Sequence, residues 1–402
     1  MFIISFLIAF ELIIFLLVFF LKKDFQWLIT SKDDFPFRSQ QELDNFLKTS
    51  FSRELGWDRK PLTKGIEKIG LKKTSFEITK KGYRKSPNNY KINKVGTFGD
   101  SYAFCRYVNN NQTWQFFLEK KIKKKVLNFG VGNYGLDQSF LKYEEKKNKT
   151  MDVIVFCVVP ETISRIHSYW KHYLEFGNKF GFKPLFKLTT DNKLIKINNY
   201  LKGKKSIEQI RKNISFVKDV DIFFKRNFQK KKMRFPHTLV YLRNISFFSK
   251  IFFFLILNKL TLFFKGRDEE NYFNKAVEIV IKQNIKNSNY LYKDSMFTKL
   301  FEKLVIHYQK KVNDEGKKFV LLIIPQIHDL KLKKNRKNFY QKFFSRLSEK
   351  IDVLDLTNDF YQSKNFEKYY IRDNYAGHLS PSGNQFVSNL LFKYFKCNGF
   401  IK

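Results

Sequence analysis

Two nearly uninterrupted apolar runs constrain the fold of this chain more than any other feature of its sequence. They are "MDVIVFCVVP" at 151–160 and "KKFVLLIIP" at 317–325. A strand with one face in water alternates apolar and polar residues, whereas a strand covered on both faces is apolar throughout. These runs therefore predict strands of a parallel sheet that has helices on both faces.

Weaker strand and helix patterns alternate around these two runs. The other predicted strands are 90–100, 125–131 and 351–357. The predicted helices are 113–122, 136–146, 338–350 and 381–395. Because strand–helix alternation is typical of a parallel sheet with covered faces, we predict an α/β fold.

The N-terminus carries a separate apolar run, "FIISFLIAFELIIFLLVFFL" at 2–21, interrupted only by Glu11. About 20 apolar residues suffice for a helix to cross a bilayer. No basic n-region and no small-residue cleavage site accompany the run, which favours a retained anchor over a signal peptide. Lys22 and Lys23 follow it, and two lysines leave the side of the membrane undecided. Glu11 marks either a helix partner or functional group, or an acid tolerated near one interface.

A second apolar stretch, 245–264, contains Lys250 and Lys259 and follows the polybasic run 225–234. Only 251–257 within it is free of polar groups, which is short for a membrane span. Two interpretations remain open. One is an interfacial helix held by anionic headgroups, and the other is a core helix of an inserted subdomain.

The chain of 402 residues is strongly basic, with 76 Lys and Arg against 37 Asp and Glu, a net charge of +39. Its basic residues are scattered, and Asn, Ile and Phe, which share AT-rich codons with Lys, are also abundant. We therefore interpret the charge first as compositional drift, then as attraction to anionic membranes, and expect no nucleic-acid partner. Cys105, Cys157 and Cys397 form no ligand-like pair, and we expect neither a metal nor a cofactor.

These patterns predict a division of the chain into an anchor, a membrane-proximal segment, and an α/β domain interrupted by a mostly helical insertion. The predicted boundaries are 1–23 for the anchor, 24–90 for the segment, 91–160 and 316–402 for the two parts of the α/β domain, and 161–315 for the insertion.

Candidate catalytic residues converge on one edge of the predicted sheet. In an open parallel sheet, ligands bind beyond the carboxyl ends of the strands. Ser101, in "GTFGDSYAFCRYV", follows the first strand, and His378 precedes the closing helix on the same edge. A surface turn and a structural histidine are the alternatives, but the two residues together favour a serine nucleophile activated by a histidine base.

The motifs in these places resemble those of the SGNH (GDSL-type) hydrolases, which are serine esterases on a flavodoxin-like three-layer fold. The matching segments are "FGDSYAF", "LNFGVGNYGLDQ" and "GHLSPSGN". The chain is also similar to a membrane-anchored branch of that family, through "ELGWDRKP" (54–61) and "KKGYRKSP" (80–87). The resemblance covers roughly 54–160 and 317–396.

The resemblance implies a role for each matching residue. Ser101 is the expected nucleophile, His378 the base and Asp373 the acid that orients it. The expected oxyanion donors are the backbone N–H groups of Ser101 and of Gly132 or Asn133. Two departures stand out, since "VVPETISR" (158–165) replaces the family's Gly-x-Asn-Asp block and Tyr375 occupies the usual position of the acid. A side chain near Glu161 is the expected substitute for the missing Asn donor.

The sequence thus predicts a membrane-anchored serine hydrolase that cleaves an acyl ester, with an acylated glycan or lipid as the candidate substrate class. One alternative is an O-acyltransferase that passes the acyl group to a glycan or a lipid-linked sugar. Another is a membrane-bound member of the fold that has lost the chemistry, as the missing Asn donor would allow.

Overall fold

The computed structural model describes residues 2–36, 38–146, 150–266, 271–334, 338–373 and 377–401. Its strands are β1 Phe51–Ser52, β2 Gly56–Trp57, β3 Lys64–Ile69, β4 Lys72–Glu77, β5 Asn93–Gly99, β6 Lys125–Asn128, β7 Val153–Val158, β8 Leu185–Leu188, β9 Leu194–Ile197, β10 Lys318–Ile323 and β11 Val353–Asp355. Its helices are α1 Phe2–Lys22, α2 Gln40–Thr49, α3 Ser101–Phe104, α4 Trp114–Ile122, α5 Leu136–Lys146, α6 Thr162–Arg165, α7 Lys171–Leu174, α8 Lys204–Glu208, α9 Ile214–Val220, α10 Gln229–Lys231, α11 His237–Arg243, α12 Ile245–Lys265, α13 Tyr272–Leu291, α14 Ser295–Asp314, α15 Ile327–Lys334, α16 Tyr340–Leu347, α17 Thr357–Gln362 and α18 Pro381–Cys397.

The central sheet has five parallel strands in the order β11-β10-β7-β5-β6. When the five strands are numbered along the chain and read from β6 to β11, the order is 2-1-3-4-5, which is the flavodoxin-like arrangement. Each of the five strands lies within the range that its apolar pattern predicts, and a helix forms in each of the four predicted helical ranges. The predicted α/β class and its parallel sheet are therefore confirmed.

The alternation of side chains along β7 explains why this strand is apolar throughout. Val155 and Cys157 belong to the core cluster that also includes residues of α4 and α18. Phe156 points to the opposite face, where its ring packs against Phe140 of α5 at 4.6 Å. Phe140 in turn stacks on Tyr308 of α14 at 4.1 Å. Both faces of the strand are therefore buried, as the apolar run predicts.

The described chain divides into two compact units. Unit 1 comprises Met1–Phe46, Ser168–Phe182 and Lys202–Asn284, and unit 2 comprises Leu47–His167, Lys183–Leu201 and Ile285–Lys402. Unit 2 contains the five-stranded sheet. Within the range 161–315, α14 belongs to unit 2 and packs on the sheet, and β8 and β9, also in unit 2, form an antiparallel hairpin.

Helix α1 is long and apolar enough to cross a membrane, and its second half is part of the core of unit 1. Ile14, Val18 and Leu21 are buried in one cluster with residues of α11, α12 and α13. By contrast, most side chains in the first half of α1, from Phe2 to Ile13, are exposed.

The structure gives Glu11 a partner within unit 1. Its carboxylate accepts hydrogen bonds from the backbone N–H groups of His237 and Thr238, at 2.6 and 2.8 Å, at the start of α11. The His237 ring nitrogen Nδ1 lies 2.8 Å from the same carboxylate. Because the first N–H groups of a helix have no partner within it, a carboxylate there satisfies them. Glu11 therefore joins α1 to α11, which is the helix-partner role among the alternatives for this residue.

Helix α12 has features of both structures considered for residues 245–264, namely a core helix and an interfacial helix. One face, with Phe248, Ile251, Phe252, Leu255 and Asn258, is buried in unit 1. The other face exposes large apolar side chains, namely Phe253, Ile256, Leu260, Leu262, Phe263 and Phe264. Its length and composition also make it a candidate membrane span. An exposed apolar face of this size is typical of a surface that contacts a membrane or a partner.

Candidate functional site

The nucleophile candidate Ser101 lies at the turn between β5 and α3. Asp100 is the N-cap of α3, and its Oδ1 accepts the Tyr102 N–H at 2.8 Å. Gly99, the residue before it, packs directly on β7, where an added Cβ would come within 1.9 Å of the Cys157 carbonyl oxygen. Only glycine fits so close an approach. The sequence Gly-Asp-Ser therefore gives the sharp turn that presents Ser101 at the carboxyl edge of the sheet.

His378 and Asp373 come from the loop before α18, and the structure brings both to Ser101. His378 Nε2 lies 2.8 Å from Ser101 Oγ. On the other side of the ring, His378 Nδ1 lies 2.5 Å from Asp373 Oδ2. All three side chains are buried. This is the hydrogen-bonded order of nucleophile, base and acid that a serine triad requires. Tyr375 lies outside the described residues.

Backbone contacts fix the histidine loop in this position. Asp373 also accepts the backbone N–H groups of Gly377 and His378, at 3.1 and 3.0 Å. Tyr102 donates its hydroxyl to the Gly377 carbonyl at 2.8 Å. Burial, followed by the nearby Tyr370 and Asp373, raises the pKa of Tyr102 well above its usual value, so the phenol stays a donor. Tyr102, the residue after Ser101, thus holds the loop that carries His378.

Two aromatic rings flank the imidazole of His378. The Tyr102 ring centroid lies 5.2 Å from that of His378, and the Tyr107 centroid lies at 5.4 Å in an edge-on arrangement. Rings at such distances restrict the rotation of a buried side chain. The His378 imidazole is therefore held in one orientation by packing as well as by Asp373.

The oxyanion candidates lie on the neighbouring strand edge. The β5–β6 hydrogen-bond pattern continues to Val131, whose N–H donates to the Gly99 carbonyl at 2.9 Å, so Gly132 follows directly beside Asp100 and Ser101. Gly132 borders open space, and Asn133 has a left-handed φ of +67°. Within the described part of the chain, neither the Ser101 N–H nor the Gly132 N–H donates a hydrogen bond. Both are available for a negatively charged oxygen.

The segment that replaces the family's Asn block contains a buried ion pair. Glu161 Oε2 lies 2.8 Å from Arg165 Nη2, and Arg165 Nη1 lies 3.3 Å from Asp100 Oδ2. An ionised carboxylate accepts hydrogen bonds and cannot donate to an oxyanion. Glu161 is therefore an acceptor in this segment, and Arg165 is the side chain beside it that has N–H donors.

A buried carboxyl group, Asp329, lies in the first turn of α15, which follows β10. Burial raises its pKa to about 8, and the charges of Glu161 and Asp355 add to the effect. Its Oδ2 accepts the Gln326 N–H at 2.9 Å. At neutral pH Asp329 is therefore mainly protonated, and it adds little negative charge to the strand edge where an oxyanion would form.

Two motifs upstream of Ser101 brace the site. Trp57, from "ELGWDRKP", donates its indole N–H to the Gly132 carbonyl at 3.0 Å. Tyr134 donates its hydroxyl to the Trp57 carbonyl at 2.6 Å, so Trp57 is held through both its side chain and its backbone. The Trp57 side chain thereby fixes the Gly132–Asn133 peptide group, which carries the Asn133 N–H and directly follows the Gly132 N–H. The resemblance pointed to these residues without a role, and only the fold gives one.

Arg84, from "KKGYRKSP", braces the loop that follows Ser101. Its guanidinium donates to the carbonyls of Phe104, Cys105 and Val108, at 2.7, 2.8 and 2.5 Å. Burial lowers the pKa of Arg84 to about 10. The loop contains Cys105 and Tyr107 in left-handed conformations, which are costly for residues with a side chain. Arg84 compensates that cost through its planar set of donors.

No protein-family model and no curated protein matches the chain. Among solved structures, a lipolytic protein of the G-D-S-L family from Desulfitobacterium hafniense DCB-2 is similar, at 10% identity and a TM-score of 0.32 over 75% of this chain and 98% of that chain. An acetyl xylan esterase is similar at 12% identity and a TM-score of 0.35, with the same two coverages. The fold assignment rests on the strand order and not on these scores.

We predict that Arg84→Lys lowers the free energy of unfolding by about 2–4 kcal/mol, because a lysine cannot reach three separate carbonyls and leaves buried acceptors unpaired. Urea unfolding of the full chain in detergent micelles measures the change. Arg53→Lys is the matched control, since Arg53 is exposed. An Arg84→Lys protein as stable as the Arg53→Lys protein would contradict the bracing role.

Proposed function

We propose that this protein is a membrane-anchored serine hydrolase of the SGNH type that cleaves an acyl ester through an acyl-enzyme. The observation that carries the proposal is the continuous hydrogen-bonded line from Ser101 Oγ through the His378 ring to Asp373, with distances of 2.8 and 2.5 Å. A serine hydroxyl is a weak nucleophile until a base removes its proton, and this geometry supplies the base.

The proposed reaction has two halves. His378 Nε2 takes the proton of Ser101 as Oγ attacks the ester carbonyl, and Asp373 stabilises the resulting imidazolium. The backbone N–H groups of Ser101 and Gly132 receive the negative oxygen of the tetrahedral intermediate. His378 then gives the proton to the leaving alcohol, and a water activated by the same histidine releases the acid from Ser101.

The proposal predicts that a fluorophosphonate probe labels Ser101. Ser101→Ala should lose the label, whereas Ser388→Ala, which alters a buried serine in the same unit, should keep it. Equal labelling of the Ser101→Ala and wild-type proteins would refute the assignment. Absence of labelling in the wild type would favour the alternative of a catalytically inactive member of the fold.

Ester turnover tests the proposed base and acid. His378→Ala should lower ester turnover by about 10²–10⁴, the usual contribution of a general base. Asp373→Asn should cost less than His378→Ala, because the Tyr102 and Tyr107 rings still hold the imidazole. Turnover of 4-nitrophenyl acetate measures both. An Asp373→Asn protein with wild-type turnover would remove Asp373 from the mechanism.

The bracing of Gly132 gives a third test. Trp57→Phe keeps an aromatic ring but removes the N–H that holds the Gly132 carbonyl, so we expect kcat/KM to fall about three- to tenfold, the worth of one hydrogen bond. Trp170→Phe is the matched control, because it removes an indole donor in unit 1, where Trp170 bonds to the Lys179 carbonyl at 3.3 Å. An equal loss in both variants would show general destabilisation instead of a positioning role.

Membrane attachment is proposed to use α1 by insertion and the exposed face of α12 by contact. Deletion of residues 2–9 tests the two separately, because it spares Glu11 and the buried residues Ile14, Val18 and Leu21. The remaining helix, about 20 Å long, is too short to cross about 30 Å of hydrocarbon. The full chain should therefore resist alkaline washing, and the shortened chain should bind anionic vesicles only at low salt.

Two outcomes of the deletion would contradict this division of roles. If the shortened protein stays bound at high salt, α12 inserts more deeply than an interfacial helix does. If it never binds vesicles, α1 alone attaches the protein and the exposed face of α12 serves another purpose. Phe263→Ser in the shortened protein is the control, and it should weaken the binding if α12 makes the contact.

A further inference from the structure

Unit 1 contains an open groove of about 780 Å³ to which neither the triad nor the proposed membrane contact gives a role. Parts of 31–43 and 207–211 line it, together with Lys179. The volume lies within the range of about 300–1,000 Å³ that small-molecule sites occupy. The groove is therefore large enough for a ligand and belongs entirely to unit 1.

The lining is cationic. Four basic side chains, of Lys32, Arg38, Lys179 and Arg211, face two acidic ones, of Asp33 and Glu208. Asp33 is already bound by a lysine outside the lining, since Lys22 Nζ lies 2.8 Å from its carboxylate. Lys179 is paired with Glu42 at 3.1 Å, also outside the lining. Among the described lining residues, Glu208 thus opposes the charges of Lys32, Arg38 and Arg211. Glu42 adds a negative charge near Arg38 from outside the lining.

Arg38 is a half-buried cation of the groove, and the charge of Glu42, outside the lining, partly offsets its own. Its guanidinium has five N–H donors and makes two hydrogen bonds, both to carbonyl oxygens, of Lys179 at 2.8 Å and Pro36 at 3.4 Å. Among the described residues, no carboxylate lies within ion-pair distance of it, although burial lowers its pKa to about 10. The rings of Trp170 and Phe180 hold the guanidinium, each with its centroid at 5.7 Å. A cation fixed in this way is ready to receive an anion.

The groove lies at the end of the apolar helix. Lys22 is the last residue of α1, and its ammonium group binds Asp33 in the groove wall. If α1 inserts in a bilayer, the end of that helix is at the level of the lipid headgroups. Helix α2 begins at Gln40 in the same wall, and its amino end adds positive potential.

We propose that this groove binds a phosphate group, supplied by the headgroup of an anionic phospholipid or by a soluble phosphate ester. Arginine is suited to phosphate because its planar donors match two oxygens at once. Arg38 would hold the phosphate from one side while Arg211 and Lys32 approach it from the open side. This site is separate from the proposed ester hydrolysis, which uses none of these residues.

The test is isothermal titration of the full chain in a neutral detergent with three probes. They are dihexanoylphosphatidylglycerol, glycerol 1-phosphate and dihexanoylglycerol, which lacks phosphate. We expect both phosphate probes, or the lipid alone, to bind more tightly than dihexanoylglycerol, with an affinity that falls as salt is raised. Binding of the phospholipid alone identifies a headgroup site, and equal binding of both phosphate probes identifies a site for soluble phosphate esters.

Variants separate the groove from the general charge of the protein. Arg38→Gln should weaken binding about tenfold or more, and Arg211→Gln or Lys32→Gln, which alter exposed residues, about threefold or more. Lys212→Gln is the matched control, because it removes an exposed charge beside Arg211 but outside the lining. Fluorophosphonate labelling of Ser101 should be unchanged in all four, so this proposal can fail without the hydrolase proposal failing.

Two results would overturn the proposal. One is that neither phosphate probe binds more tightly than dihexanoylglycerol. The other is that Lys212→Gln weakens binding as much as Arg211→Gln, which would mean that net charge and not the groove attracts the probe. Because Arg211 and Lys32 are exposed and contribute little to packing, their variants remain informative even if Arg38→Gln fails to fold.

Discussion

The buried carboxylate of Asp100 is the contact on which the geometry of the site depends. One oxygen caps α3 by accepting the Tyr102 N–H, and the other accepts the Val159 N–H at 3.2 Å, beyond the end of β7. Arg165 approaches the same oxygen at 3.3 Å. Asp100 therefore joins the nucleophile turn to the neighbouring strand. Its contacts thus extend from the turn across the edge of the sheet.

A second constraint follows from the first. Once Asp100 fixes the start of α3, Tyr102 points its hydroxyl to the Gly377 carbonyl, and so the short helix also positions the histidine loop. Ser101 and His378, which are 277 residues apart in the chain, are thus both positioned by α3. Two upstream side chains add support. Arg84 binds the backbone at the end of α3, and Trp57 binds the Gly132 carbonyl in the loop after β6. The site is built from backbone contacts as much as from side-chain chemistry.

The sequence predicted the sheet well because buried parallel strands need continuous apolar runs, and β7 and β10 have them. It also predicted that Ser101 and His378 share an edge, since strand ends in such a sheet converge. Asp373 was expected as the acid only from the resemblance, because a carboxylate five residues before the histidine reaches the ring only through a particular loop shape. The roles of Trp57 and Arg84 were also hidden, because their partners are carbonyl groups, which carry no sequence signal.

The two units alternate along the chain, so α1 cannot be removed without affecting the rest of the fold. The two units consist of six alternating segments, three each, so the chain passes between them five times. The range 161–315 contributes α12 to unit 1 but α14 to the sheet of unit 2, and α1 contributes Ile14, Val18 and Leu21 to the core of unit 1. Removal of either the whole of α1 or the whole of 161–315 would therefore expose a buried core. For this reason, selective shortening of α1 before Glu11 would separate the proposed membrane attachment from folding, whereas removal of the whole of α1 would not.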